Sequence, residues 1–463
     1  MSAIITDPLK KLLTQKIFDE VANTTNRYYI GIGRSEPWDS SETVPTPTNS
    51  PRTIRNVRAG LQSIKSATDL SYVVPRYNWS SGSIYQGYDD NFTGIPDTNP
   101  YAVLTEDNQV YMVLQQAKNN AGTATTSTIK PTGTSTKPFK TSDGYVWKFL
   151  YTLSAARSSA FLSANFLPVE KILDSARVND LTGTTTLSVL EIQQALVQDS
   201  AVPGQIIGIT VTGGGTGYTS TPTVTIQGDG VRAAATATVS GGAVTKIELD
   251  SSTDSAITMG QGYNFASVAI TGGGGSGATA RAIIGPDSGL GADPRDDLRS
   301  NSLMFNTKPN GIEDSNFIVG QDFRQVALIR DPKKTTDDSD FTTSSGKVLK
   351  FLKLTAAANI NFLDATITGG TTGAKALVDE VDSDRLYFHQ TEATGFLAFA
   401  EGEAITGGGT SGTLVAEGVD VDSDAFTKDD VDNLSGKIVY IENRAPVTRS
   451  ANQQEDIKVV ISL

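Results

Sequence analysis

Short runs of apolar, β-branched and aromatic residues recur between glycine-, serine- and threonine-rich clusters along this chain, which is the pattern of short β-strands joined by turns. The strands predicted in this way are 28–33, 72–74, 101–105, 109–114, 146–153, 323–329, 437–441 and 457–463. Helical spacing predicts one helix over 6–23 and a second over 54–67, whereas 161–173 fits either a helix or an extended segment. We therefore expect a mainly β fold with a few helices, built on β-sandwich-type core domains.

An internal repeat occupies residues 206–284. The segment Gly215–Tyr218 recurs in similar form 45 residues later as Gly260–Tyr263, and each copy is followed by a β-branched triplet and an alternating alanine run. The triplets are Val224–Ile226 and Val268–Ile270. A fixed period of this size is typical of a repeated supersecondary unit, in which each copy completes its core against its neighbour.

A second repeat lies within 356–420, where the segment Ala365–Gly370 recurs in similar form as Ala404–Gly409. Each copy is predicted to form a strand, a glycine turn and a strand. Both regions are interpreted as glycine-rich β-repeat modules inserted into a host domain. The resulting division is an N-terminal core domain over 1–175, an inserted module over 200–285, a second part of the core over 286–350, a second module over 356–420 and C-terminal strands over 433–463.

Charge and composition narrow the possible functions. The 463-residue chain has a net charge of −13, which disfavours binding to nucleic acid. It has no cysteine, so disulfides and thiolate chemistry are excluded. No window approaches the roughly 20 apolar residues of a membrane span, and no signal peptide is evident. We expect synthesis in the cytoplasm and no membrane contact.

Candidate catalytic chemistry is sparse. His389 is the only histidine and lies in a predicted strand, where a structural or surface role is favoured over catalysis. Glycine runs such as 213–217 lead into β-like sequence and not into the helix that a phosphate cradle requires. The aspartates at 287–297 lack the spacing of a helix–loop–helix calcium site. The sequence predicts no enzyme, no cofactor and no metal.

Five segments carry a resemblance to a known family. They are Gly33–Trp38, Val74–Trp79, Asp143–Leu150, Asp322–Ile329 with Asp331-Pro332, and Ser435–Val447 continuing to Ile457. In this order they resemble the baseplate wedge protein eight family of T4-like contractile-tailed phages. The resemblance covers roughly 1–175, 295–345 and 433–463, and it leaves out the two glycine-rich modules.

The resemblance implies a β-rich homodimer that joins other wedge proteins in a virion tail baseplate and takes part in tail assembly and sheath-contraction triggering. No catalytic residues are carried over. Arginine and tryptophan often anchor interfaces, so we regard the charged and aromatic residues of the matched segments as interface or structural candidates. These candidates are Arg34, Glu36, Pro37, Trp38, Arg76, Trp79, Tyr145, Trp147, Arg324, Glu442, Asn443 and Arg444.

Core packing and interface contact are equally compatible with the 33–38 turn. Within it we expect Arg34 to pair with Glu36, and Trp38 to fill an apolar pocket. The segment 442–446 is interpreted as a fixed turn between two interior strands. An alternative function is a virion-associated protein that binds host surface glycans through its glycine-rich modules. A glycan-degrading enzyme is the third and weakest hypothesis.

Overall fold

The computed structural model describes residues 4–22, 27–173, 187–250, 259–415 and 431–463. The protein is mainly β, with 41% strand against 12% helix, which confirms the predicted fold class. None of the helices in these ranges has the length and apolar character needed to cross a membrane. The last residues of the second predicted module, 416–420, fall outside the described residues.

The chain forms two compact units, which we call unit 1 (1–14, 71–303 and 462–463) and unit 2 (15–70 and 304–461). The predicted domain 1–175 is therefore divided between them. The chain passes from one unit to the other within α1 (Asp7–Ala22), β3 (Asp69–Pro75), β17 (Ser302–Thr307) and β27 (Ile457–Ser462).

Unit 1 contains a four-stranded antiparallel sheet of order β4-β5-β7-β6, followed by the first repeat region. Its elements are β4 (Ala102–Leu104), β5 (Gln109–Gln115), β6 (Phe139–Lys140), β7 (Val146–Thr152), α3 (Ala155–Phe161), β8 (Phe166–Val169), α4 (Val189–Asp199), β9 (Ile206–Thr216), β10 (Thr223–Gly228), β11 (Val231–Ala233), β12 (Ala235–Ser240), β13 (Ala243–Leu249), β14 (Gly260–Gln261), β15 (Ala266–Thr271), β16 (Ser276–Ile284) and α5 (Pro294–Asp297).

The two copies of the first repeat pair with each other. In β10 and β15, Val224 lies opposite Ile270 and Ile226 lies opposite Val268, so the two β-branched triplets are antiparallel partners. Strands β9 and β16 pair in the same way at the outer ends of the repeat. Because cross-strand pairs of β-branched residues stabilise a sheet, the repeated sequence explains the pairing.

Unit 2 contains a five-stranded sheet of order β19-β2-β1-β18-β26 and a six-stranded sheet of order β20-β23-β22-β21-β24-β25. Its elements are β1 (Tyr28–Gly33), α2 (Pro51–Ala59), β2 (Leu61–Ser66), β18 (Asp322–Arg330), β19 (Ser345–Lys347), β20 (Lys350–Lys353), a short 3-10 helix (Ile360–Phe362), β21 (Thr366–Gly369), β22 (Lys375–Asp382), β23 (Arg385–His389), β24 (Ala404–Gly407), β25 (Thr410–Thr413) and β26 (Lys437–Thr448).

The six-stranded sheet contains the second repeat. Its equivalent strands β21 and β24 are antiparallel neighbours, with Thr368 opposite Thr406. The sheet packs on an apolar cluster that includes the fully buried Phe362, Ile367 and Ile405. The repeat therefore supplies the centre of this sheet.

One predicted helix was wrong in its extent, one run had been left open between two alternatives, and one helix was missed. The expected helix over 54–67 is α2 followed directly by β2, because Gly60 ends the helix and the next four residues are all buried in the sheet. Ser50 begins α2 by accepting a hydrogen bond from the Thr53 amide, and Pro51 suits its first turn. The ambiguous run 161–173 contains the end of α3 and the strand β8. Helix α4, which begins with a capping box at Ser188 and Glu191, was not predicted.

Candidate functional site

The turn after β1 is fixed by its backbone. At Gly33, a Cβ would lie 2.3 Å from the carbonyl oxygen of Gly60, so no larger residue fits there. Arg34 follows with φ at +62° and donates its amide to the same carbonyl over 2.8 Å. Left-handed backbone is uncommon for residues other than glycine, and here the contact between β1 and the end of α2 imposes it.

Arg34 and Trp38 stack on each other across this turn. The guanidinium carbon lies 4.2 Å from the centre of the indole ring, and a terminal nitrogen of Arg34 donates to the carbonyl of Pro37 over 3.3 Å. The indole nitrogen of Trp38 donates to the carbonyl of Arg444 over 2.8 Å. Among the described residues no ion-pair contact joins Arg34 to Glu36, although the charge of Arg34 lowers the pKa of Glu36.

Arg324 joins strand β18 to the same turn. Its side chain is only 5% exposed, and it contacts the carboxylates of Glu42 at 2.8 Å and Asp322 at 3.0 Å. It also donates to the carbonyl of Ser35. A planar guanidinium that satisfies two carboxylates and a carbonyl at once fixes the geometry of all three segments.

The segment 442–446 lies inside β26, so its prediction as a turn was wrong. Glu442 lies opposite Val326 in the β18–β26 ladder, and its carboxylate accepts a hydrogen bond from the Tyr440 hydroxyl over 3.2 Å. Asn443 accepts from the Gln325 side chain over 2.7 Å and donates to the carbonyl of Pro45 over 2.9 Å. The predicted interior position was also wrong, because β26 is an edge strand of its sheet.

A buried charge cluster lies beside the turn. His389 is 3% exposed, and its Nδ1 is hydrogen-bonded to Asp379, whose carboxylate is fully buried. Its Nε2 lies 3.2 Å from a carboxylate oxygen of Glu36. Asp379 also accepts from the Ser35 hydroxyl over 2.6 Å and from the Gln62 side chain over 3.3 Å.

These contacts determine the ionisation of His389. Burial lowers the pKa of His389, but the carboxylates of Asp379 and Glu36 outweigh it and raise the pKa to about 10. Burial raises the pKa of Glu36, and the His389 and Arg34 charges then bring that pKa below its usual range. The cluster is therefore an imidazolium held between two carboxylates at neutral pH.

The cluster does not have the geometry of a nucleophile with its base. The Ser35 hydroxyl donates to Asp379 and not to the imidazole, whereas a hydrolytic triad needs the hydroxyl on the ring. Among the residues that the structure describes, no group of acidic, histidine or cysteine side chains is arranged to hold a metal ion. The arrangement is suited to holding segments together electrostatically.

A cavity of about 750 Å³ opens beside the turn. Its walls include Arg34, Glu36, Pro37, Trp38 and Asn443 from the predicted set. Residues of the 45–48 segment, of α2 and of the 366–394 part of the second repeat module also line it, together with Gln325. Arg324 and Arg444 contact the same turn, so seven of the matched-segment candidates lie at the cavity or at the turn beside it.

Arg76, Trp79, Tyr145 and Trp147 belong to unit 1. Tyr145 and Trp147 are fully buried in an aromatic cluster with Tyr85, so the structure places them in a core and excludes them as exposed interface residues of the described fold. Trp79 packs against that cluster and donates to the Ser127 hydroxyl over 3.2 Å. Arg76 donates to the carbonyl of Ser163 over 2.8 Å, which anchors the end of β3.

The sequence reasoning missed Asp379 and Glu42. Asp379 lies two residues after Leu377 on β22, and Leu377 lies opposite His389 in the β22–β23 hairpin. The pairing shifts register between Val378 and Glu380, so Asp379 lies at an irregularity of the hairpin and strand alternation alone does not place it beside the only histidine. Glu42 lies in a loop, where no local pattern links it to Arg324.

Neither a protein-family model nor a curated protein significantly matches this chain.

Proposed function

We propose that this chain is a structural subunit of a phage tail baseplate wedge, which acts through dimerisation and through contacts with other wedge proteins. In that role it would take part in tail assembly and in the triggering of sheath contraction. The proposal rests on the five ordered segments that resemble the wedge protein family.

The observation that best supports the proposal is the meeting of three of these segments in unit 2. The 33–38 turn accepts the Arg324 side chain at Ser35, and Trp38 reaches the backbone at Arg444. These residues are far apart in sequence, so the contacts between them are not a consequence of local structure. Side-chain contacts between distant segments fix the shape of a subunit, and a component of an assembly needs a fixed shape.

The charge cluster also favours a structural role over catalysis. His389 is 3% exposed, and both of its ring nitrogens face carboxylates. A general base has to reach the proton that it removes, and this imidazole is enclosed. Its best-supported function is to attach the hairpin β22–β23 to the turn that carries Glu36.

Assembly experiments test the proposal directly. Light scattering coupled to size-exclusion chromatography should give a mass of twice 48.9 kDa for the purified chain. Deletion of the gene from the phage that encodes it should abolish complete baseplates in electron micrographs, and expression in trans should restore them. Normal contractile tails in the deletion phage would refute the proposal.

A further inference from the structure

Two cavities of unit 2 lie along helix α2 and share three of their lining residues. The cavity of about 750 Å³ and a second of about 290 Å³ are both lined by Asn56, Ala59 and Glu392. We call the two together the α2 groove. Glu392 forms an exposed ion pair with Arg52 at the junction, and pairs of this kind contribute little to stability.

The α2 groove is cationic although the chain is strongly acidic. Among the described residues, six cationic side chains line it: Arg34, Arg55, Arg58, Lys350, Lys375 and the imidazolium of His389. Among the same described residues, only two carboxylates line it. Glu36 faces His389 and Arg34, and Glu392 faces Arg52 and Arg55, so the cations still outnumber the carboxylates. Arg58 donates to the carbonyls of Asn433 and Gly436, which do not neutralise its charge. A net positive surface on a chain of charge −13 is a local exception that favours an acidic partner.

The smaller end of the groove is apolar. Phe396 is 62% exposed and Leu434 is 75% exposed, and both line the smaller cavity with the buried residues Leu61, Val348 and Phe388. Exposed large apolar side chains grouped at a cavity mark a contact surface more often than a solvated one. This end can receive an apolar side chain of a partner.

We propose that the α2 groove binds an extended acidic segment of a partner protein, with carboxylates at the cationic rim and one large apolar residue beside Phe396 and Leu434. A nucleic acid or an anionic glycan would satisfy the cations but not the apolar end. The proposal stands apart from the baseplate assignment, because this chemistry selects such a segment in any partner.

An array of 15-residue synthetic peptides tests this with the full chain. Each peptide carries one Phe or Leu flanked by Asp or Glu, and its matched copy has Asn or Gln at every acidic position. We expect binding to a subset of the acidic peptides and not to their amide copies. For the best peptide, fluorescence anisotropy should show at least about tenfold weaker binding to the double variant Arg55→Gln/Lys350→Gln than to the unaltered chain. The variant Phe396→Ser should also bind this peptide more weakly than the unaltered chain.

Lys16→Gln is the matched control, since Lys16 is exposed and lines neither cavity. It should bind the best peptide like the unaltered chain, and each variant should keep its melting temperature. Equal binding of acidic and amide peptides would overturn the proposal. So would equal or tighter binding of a 15-nucleotide single strand or of heparin, because that would make the groove a general polyanion site. Unchanged affinity in the folded Arg55→Gln/Lys350→Gln variant would also overturn it.

Discussion

Because of the histidine cluster, unit 2 should lose stability as the pH rises into the alkaline range. The pKa of His389 rises from an ordinary value of 6.5 to about 10 in the folded chain, after the carboxylates outweigh the effect of burial. A group whose pKa is raised by folding contributes stability that is fully present below its unfolded pKa and is lost as pH rises through its folded pKa. The contribution of His389 is therefore complete below about pH 6.5 and gone above about pH 10.

The size of the effect follows from the same two pKa values. Between pH 7 and pH 9 the linkage relation predicts a loss of roughly 2–3 kcal/mol from this group, since each pH unit is worth up to about 1.4 kcal/mol. Replacement of His389 by glutamine should remove this pH dependence. Asp379→Asn should weaken it as well, because it removes the carboxylate bonded to Nδ1.

The absence of cysteine provides a local assay. A single Ala376→Cys substitution places a thiol at a fully buried position of β22, on the same strand as Asp379. Thiol alkylation during urea titration, normalised to the unfolded chain at each pH, then reports the unfolding of this sheet. Lys148 and Asp297 of unit 1 also have pKa values near 8 because of burial. The decisive quantity is therefore the difference in unfolding free energy between the parent and His389→Gln at each pH. Parallel pH profiles for the two chains would refute the reasoning.

Three further predictions concern the second repeat module. Glu403→Gln should destabilise it by roughly 1–3 kcal/mol in thermal unfolding, since the carboxylate accepts from the amides of Ala400, Thr371 and Thr372, whereas the exposed Glu401→Gln should change little. Gly408→Ala should be far more destabilising than Gly409→Ala, because a Cβ at 408 meets the Asn361 carbonyl while a Cβ at 409 meets nothing within 4 Å; equal losses in urea unfolding would contradict this. Phe362→Ala should cost about 3–5 kcal/mol as a core cavity, and a loss below 1 kcal/mol would show that this side chain is not packed as described.

The periodic parts of the fold were predictable from the sequence, and the contacts between distant segments were not. The repeated triplets Val224–Ile226 and Val268–Ile270 indicated strands, and their pairing follows from the repeat. The helix boundary at Gly60 was missed because Leu61–Ile64 also fits helical spacing, and only the sheet decides between the two. Tertiary context overrides local propensity in this way whenever an apolar run is short.

The candidate site was only partly predictable. The segments that carry Arg34, Trp38 and Arg324 were chosen on residue type and order, and the structure brings those residues together. The same choice selected Trp147, which is core, because residue type does not distinguish a buried anchor from an exposed one. The partnership of His389 with Glu36 links residues more than 350 positions apart, and no local signal in a single sequence indicates such a contact.

The most direct measurement of the central claim is a cryo-electron microscopy map of the intact virion that carries this chain. The wedge-subunit proposal predicts that both units fit density in the tail baseplate, with two copies paired in each wedge. Density for the chain elsewhere in the particle, or a baseplate whose density is fully explained without it, would contradict the proposal.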